Sequence, residues 1–106
     1  MEEFCLILTT VPDVQTAKNL ARNLVENRLA ACVTVSSPCD SFYRWEGKLT
    51  EDREFVLLIK TRTSLLDSVE TRLNELHPYS VPEFIVLPIV HGSKLYLDWL
   101  FKETES

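Results

Sequence analysis

The densest group of chemically able side chains is the run His77-Pro78-Tyr79-Ser80-Val81-Pro82-Glu83. Two prolines stiffen it, and its imidazole and carboxylate converge if the segment turns back on itself. Joined by a thiolate from Cys32 or Cys39, they would form a mixed nitrogen, oxygen and sulfur donor set suited to Cu or Zn. The spacing matches no established metal signature, and a plainer reading stays open. In that reading His77 ends a helix while Glu83 bonds to backbone or pairs with a lysine.

The other reactive side chains point to packing. Cys5 falls in an apolar run and Cys32 in Leu29-Ala30-Ala31-Cys32-Val33, where a small buried residue fits. Cys39 follows Pro38 and is the more accessible thiol. There is no Cys-x-x-Cys and no His-x-x-x-His, so neither a zinc ribbon nor a helical metal pair is supported. His91 stands alone before Gly92 and reads as a strand end. The only glycines, Gly47 and Gly92, cannot build a phosphate-cradling loop, and there is no Gly-x-Ser-x-Gly. Lys60 lies among apolar neighbours. It either extends to the sheet edge or pairs with an acid such as Glu83, and pairing is the expectation.

The elements that must position these residues follow from periodicity. Phe4 to Val11 is a continuous apolar run, read as a buried strand. Asp13 is a plausible N-cap for a helix from Val14 to Asn27, with Val14, Ala17, Leu20, Ala21, Leu24 and Val25 on one face. Leu29 to Thr61 reads as a long hairpin turning at Glu46-Gly47-Lys48. An arm of roughly 14 residues would run about 45 Å, against about 21 Å for the preceding helix. The hairpin therefore outruns its cover, carrying Phe42, Tyr43 and Trp45 into solvent unless another chain buries them.

Pro38 makes the first arm an edge strand, bulged or bent there, while the uninterrupted Glu54–Thr61 stretch fits a central strand. Ser64-Leu65-Leu66-Asp67 looks like a capping box for a second helix, stopped at His77-Pro78. Phe84 to Val90, with Pro88, is a second edge strand, and Ser93 caps a short terminal helix. The order is β-α-β-β-α-β plus a tail helix, a ferredoxin-like α+β sandwich over residues 1–106 as a single domain.

Composition bounds the rest. The chain has 106 residues, a formal net charge of −5 and no basic stripe, which argues against nucleic acid as a partner. No apolar run approaches the ~18 residues of a membrane span. Three cysteines without an apparent leader fit a reducing cytoplasm better than a disulfide framework.

Together these residues resemble the CutA divalent-cation tolerance family. The likeness runs through Thr10-Val11-Pro12, Arg28-Leu29-Ala30-Ala31-Cys32, Ser41-x-Tyr43-x-Trp45-x-Gly47-Lys48, Lys60-Thr61, His77-Pro78-Tyr79-x-x-Pro82-Glu83 and Tyr96-Leu97-x-Trp99. The resemblance implies a cytoplasmic homotrimer associated with copper and other divalent cations and without a settled catalytic activity, hence not an enzyme. It carries the family's metal ligands onto Cys32, His77 and Glu83. Ser80, where the family is often acidic or amide-bearing, and Leu76, where some members have a second histidine, both depart from the pattern and weaken such a site. A second reading is a regulatory trimer resembling the PII signalling proteins. It would bind a small ligand or a protein partner in intersubunit clefts lined by Trp45, Lys60, Tyr79 and Glu83. An acylphosphatase-like enzyme shares the fold class but would need a phosphate loop that is missing.

Overall fold

The computed structural model describes residues 2–104. Strand β1 (Phe4–Val11) is followed by α1 (Val14–Glu26), β2 (Cys32–Val35), β3 (Cys39–Trp45) and β4 (Lys48–Arg62). A 3-10 turn (Thr63–Leu65) leads into α2 (Leu66–Leu76), β5 (Ile85–Ile89) and α3 (Lys94–Glu103). The antiparallel sheet has the order β2-β4-β1-β5, with β3 also pairing along β4. This is the expected ferredoxin-like α+β arrangement. The proline-bearing stretches run along its two edges, and the molecule measures 45 × 25 × 24 Å.

Helix α1 starts as its sequence suggests, with the Asp13 carboxylate accepting the Thr16 amide at 2.7 Å. Its end is less orthodox. Leu29 N donates to Leu24 O and Arg28 N to Val25 O, a Schellman closure whose left-handed position is Arg28 at φ 58°. Glycine would normally sit there. The arginine's guanidinium instead reaches across the fold to the Lys102 carbonyl at 2.5 Å, near the end of α3.

The core lies between the sheet and helices α1 and α2. Cys5, Ile7 and Val11 from β1 and Leu57 and Ile59 from β4 meet Ala17, Leu20, Leu24, Val69 and Leu73. Alternation puts Lys60 and Arg62 on the other face, which α3 partly covers. Lys60 Nζ donates to Tyr96 Oη at 3.2 Å, and the Arg62 guanidinium stacks 4.8 Å above Phe101 while bonding to Thr104.

Two features shape the hairpin. At its tip, Trp45 pairs with Lys48 across a two-residue turn in which Glu46 (φ 50°) and Gly47 (φ 79°) are both left-handed. That is the type I′ geometry that matches strand twist. Midway, Val35 pairs with Leu57 but Cys39 with Glu54, so the first arm uses one residue more than β4. This is a β-bulge at Ser36-Ser37-Pro38. Ser36 N donates to Val56 O at 2.9 Å, and Ser36 Oγ accepts the Val56 amide at 2.8 Å in place of a ladder carbonyl.

One expectation fails. Ser64 caps nothing, because the chain makes a 3-10 turn first and α2 starts at Leu66 with no side-chain cap. Ser64 Oγ donates instead to Glu2 at 3.3 Å. No helix among the described residues is long and apolar enough to cross a membrane.

Ser36→Ala is expected to cost about 1 kcal/mol, the worth of a buried hydrogen bond whose amide partner is left behind. Urea unfolding measures this directly. An unchanged midpoint would show that the hydroxyl adds nothing to the ladder.

Candidate functional site

The segment that joins α2 to β5 is built around His77. Pro78 holds His77 extended (φ −82°, ψ 132°), which ends the helix. The ring is turned inward and is only 8% exposed. Its Nε2 lies 2.8 Å from the Thr10 carbonyl, and Nδ1 accepts the Tyr79 amide at 3.2 Å. A carbonyl can only accept, so Nε2 carries the proton and the neutral ring satisfies both contacts with one tautomer. Burial lowers the imidazole pKa below its ordinary value, against smaller raising effects from Thr10 and Glu54.

This anchoring presents Tyr79, whose ring packs 4.8 Å from that of His77. Its hydroxyl donates to Glu54 Oε2 at 2.7 Å. Glu54 is 6% exposed, on β4 opposite Cys39. Desolvation, followed by the bond and the charge of Glu54, raises the Tyr79 pKa far above the usual phenol range. Glu83 closes the far side of the same cleft, and its carboxyl is also pushed up, first by burial and then by the Glu54 charge. Tyr43 donates to Asp52 nearby.

The cleft has a volume of about 720 Å³ and lies where the hairpin leaves the body of the subunit. Tyr43 and Trp45, on the Glu54 face of the hairpin, line it together with Tyr79, Val81, Glu83 and Glu54 itself. No lysine, arginine or histidine is among its lining residues. Among the described residues no ion pair involves Glu54 or Glu83.

The residues singled out in the sequence fall into two groups. Trp45, Tyr79 and Glu83 line one cleft, with His77 supporting it from behind. Cys32 and Lys60 lie elsewhere. Cys32 pairs with Lys60 on β4, whereas the Thr10 that holds His77 pairs with Val56. Four residues of strand separate these positions, or about 13 Å. Within one subunit Cys32, His77 and Glu83 therefore do not converge, and among the described residues no group of three or more His, Cys, Asp or Glu is placed to hold a metal. The expected Lys60–Glu83 pairing is replaced by Lys60–Tyr96, because α3 lies over that end of the sheet. Glu54 escaped the reading. Its one signal is its place at the last charged position before an apolar strand.

These features define a small ferredoxin-like α+β protein with a carboxylate-lined cleft at the root of a long hairpin. The chain belongs to the CutA divalent-ion tolerance family: the family model described as CutA1 divalent ion tolerance protein matches residues 5–103. A divalent-cation tolerance protein CutA of Thermus thermophilus is 47% identical over 104 residues, covering 98% of this chain and 99% of its own. A chloroplastic CutA of Arabidopsis thaliana is 45% identical over 101 residues, and this chain spans 56% of its length. The solved structure of a stable CutA1 from the psychrotrophic bacterium Shewanella sp. SIB1 superposes with a TM-score of 0.95 at 38% identity, covering 98% of this chain and 97% of that one.

The lowered His77 pKa fixes the sign of one pH effect. Above about pH 6.5 the ring is neutral in folded and unfolded chains and its bonds contribute fully. As pH falls below that, the unfolded chain takes up the proton first, so stability drops until the folded ring titrates at its lower value. His77→Gln should flatten this part of the acid profile. Urea midpoints compared between pH 7 and pH 5 test it, and parallel profiles for the two proteins would rule it out.

Proposed function

We propose that the protein is a cytoplasmic homotrimer that contributes to tolerance of divalent cations, Cu(II) among them, by binding them, and that it is not an enzyme. The observation that carries this reading is the cleft itself, in which two carboxylates, Glu54 and Glu83, share one partly desolvated space with no counter-cation. Taking a carboxylate out of water is costly unless a partner compensates it, so such a pair favours a cation. Two carboxylates with retained waters suit a hydrated divalent ion held with modest affinity. In this reading Glu83 and Glu54 are the ligands and His77 positions the loop through its two bonds. Cys32 contributes only across a subunit boundary.

Three free thiols favour a reducing compartment. Assembly is supported by the hairpin, where Phe42 is 64% and Leu49 76% exposed, and by Val90 and Leu95 at the other end of the molecule. Subunit count and the family's copper association enter through the resemblance. The regulatory-trimer reading with an anionic small ligand is the weaker one, since Lys60, its candidate cation, lies on Tyr96 and outside the cleft.

Light scattering at micromolar concentration should give three chain masses, and a folded monomer would remove the trimer. Calorimetric titration with Mn(II) and with Cu(II) should show a site in each subunit that weakens about tenfold in Glu83→Gln. Equal binding by parent and variant would place the cation elsewhere.

A further inference from the structure

We propose that the cleft also binds a small organic ammonium ion, its charged nitrogen between Glu54 and Glu83 and its apolar body along Tyr43 and Trp45. The inference rests on the cation preference of the cleft argued above and goes beyond a metal ion in the kind of guest.

Size is the first reason. A divalent ion with six waters, at ~30 Å³ each, takes roughly 180 Å³. The cleft offers about 720 Å³, within the usual range for small-molecule sites. The second reason is the wall facing the carboxylates. Tyr43 and Trp45 are 39% and 47% exposed, and both border the cleft. A bare or hydrated metal gains little from such a wall, whereas an alkyl or aryl ammonium gains both hydrophobic contact and cation–π attraction. The third reason is charge. The lining holds two carboxylates and no cationic side chain, which selects against nucleotides and other anions.

The carboxylates are also arranged asymmetrically. One oxygen of Glu54 is held by the Tyr79 hydroxyl, itself steadied through His77, so the buried carboxylate is aimed before any guest arrives. Glu83 sits on the proline-bounded loop opposite. An ammonium nitrogen has three donors, enough to bridge the two carboxylates and keep one for water or the Ser41 hydroxyl that also lines the space. Pre-aimed acceptors reduce what binding must spend on ordering side chains.

Benzylamine and its neutral counterpart benzyl alcohol are the probes, titrated into the assembled full-length protein. A Trp99→Phe background leaves Trp45 as the reporting indole. Benzylamine should change Trp45 emission saturably, with benzyl alcohol at least about tenfold weaker, and Glu83→Gln and Glu54→Gln should each weaken the amine about tenfold. Glu83→Gln keeps the test readable should Glu54→Gln fail to fold. Absence of amine binding, whether because a neighbouring copy fills the cleft or otherwise, overturns the proposal. Equal binding of the alcohol does so too, since the site would then be merely apolar. Parallel titration with Mn(II) separates this proposal from the function above. Metal binding without amine binding defeats the ammonium site alone, and amine binding without metal binding defeats the divalent-cation reading alone.

Discussion

Most of this sheet is registered against β4. It pairs with β1 over eight positions, with β2 over four and with β3 over seven, so three strands take their phase from one. Its inner half supplies Leu57 and Ile59 to the core, and its outer half is the rail on which the hairpin projects. Between the halves sits Glu54, and the cleft forms where the apolar strand becomes a solvated one. Two residues further out lies Asp52, less buried and accepting the Tyr43 hydroxyl. The position of Glu54 at the boundary allows it to be buried and still reach an opening.

The electrostatics of the cleft depend on a chain of supports that runs backward from Glu54. Its carboxylate is held by Tyr79, Tyr79 is tied through its amide to His77, and His77 is bonded to the end of β1. The imidazole is thus occupied at both nitrogens, the opposite of what a metal ligand requires, which is one nitrogen left available. The two prolines keep this short loop from relaxing away from the strand.

Much of the fold was legible because its signals are backbone signals. Pro38 and Pro88 cannot donate to a ladder and so mark the edges, Glu46-Gly47 marks the turn, and apolar alternation marks the faces. The partners of long polar side chains were not legible. Lys60 was expected to meet an acid, but the face it shares with Arg62 is covered by α3, and nothing in the local pattern says which face a tail helix will choose. Ser64 has the right type and spacing for a cap, yet the preceding 3-10 turn shifts the start of α2 past it. Glu54 enters the sequence reading only as the first residue of the Glu54–Thr61 strand. Its burial depends on Tyr79, which arrives from 25 residues away.

The bulge at Ser36 carries a consequence for how this chain can change length. The extra residue shifts the alternation of the outer arm by one step relative to β2, while Ser41, Tyr43 and Trp45, paired with Asp52, Thr50 and Lys48, share the face of Glu54 that borders the cleft. Removing Pro38 would leave two residues on each arm between the Val35–Leu57 and Cys39–Glu54 pairs, an unbroken ladder. Cys39 would still face Glu54 and Trp45 would still face Lys48, so the aromatics would keep their face and only the bend would go. The number of residues in this stretch therefore sets how sharply the hairpin turns away from the body of the subunit, and with it the angle at which the aromatic face meets the Tyr79 loop.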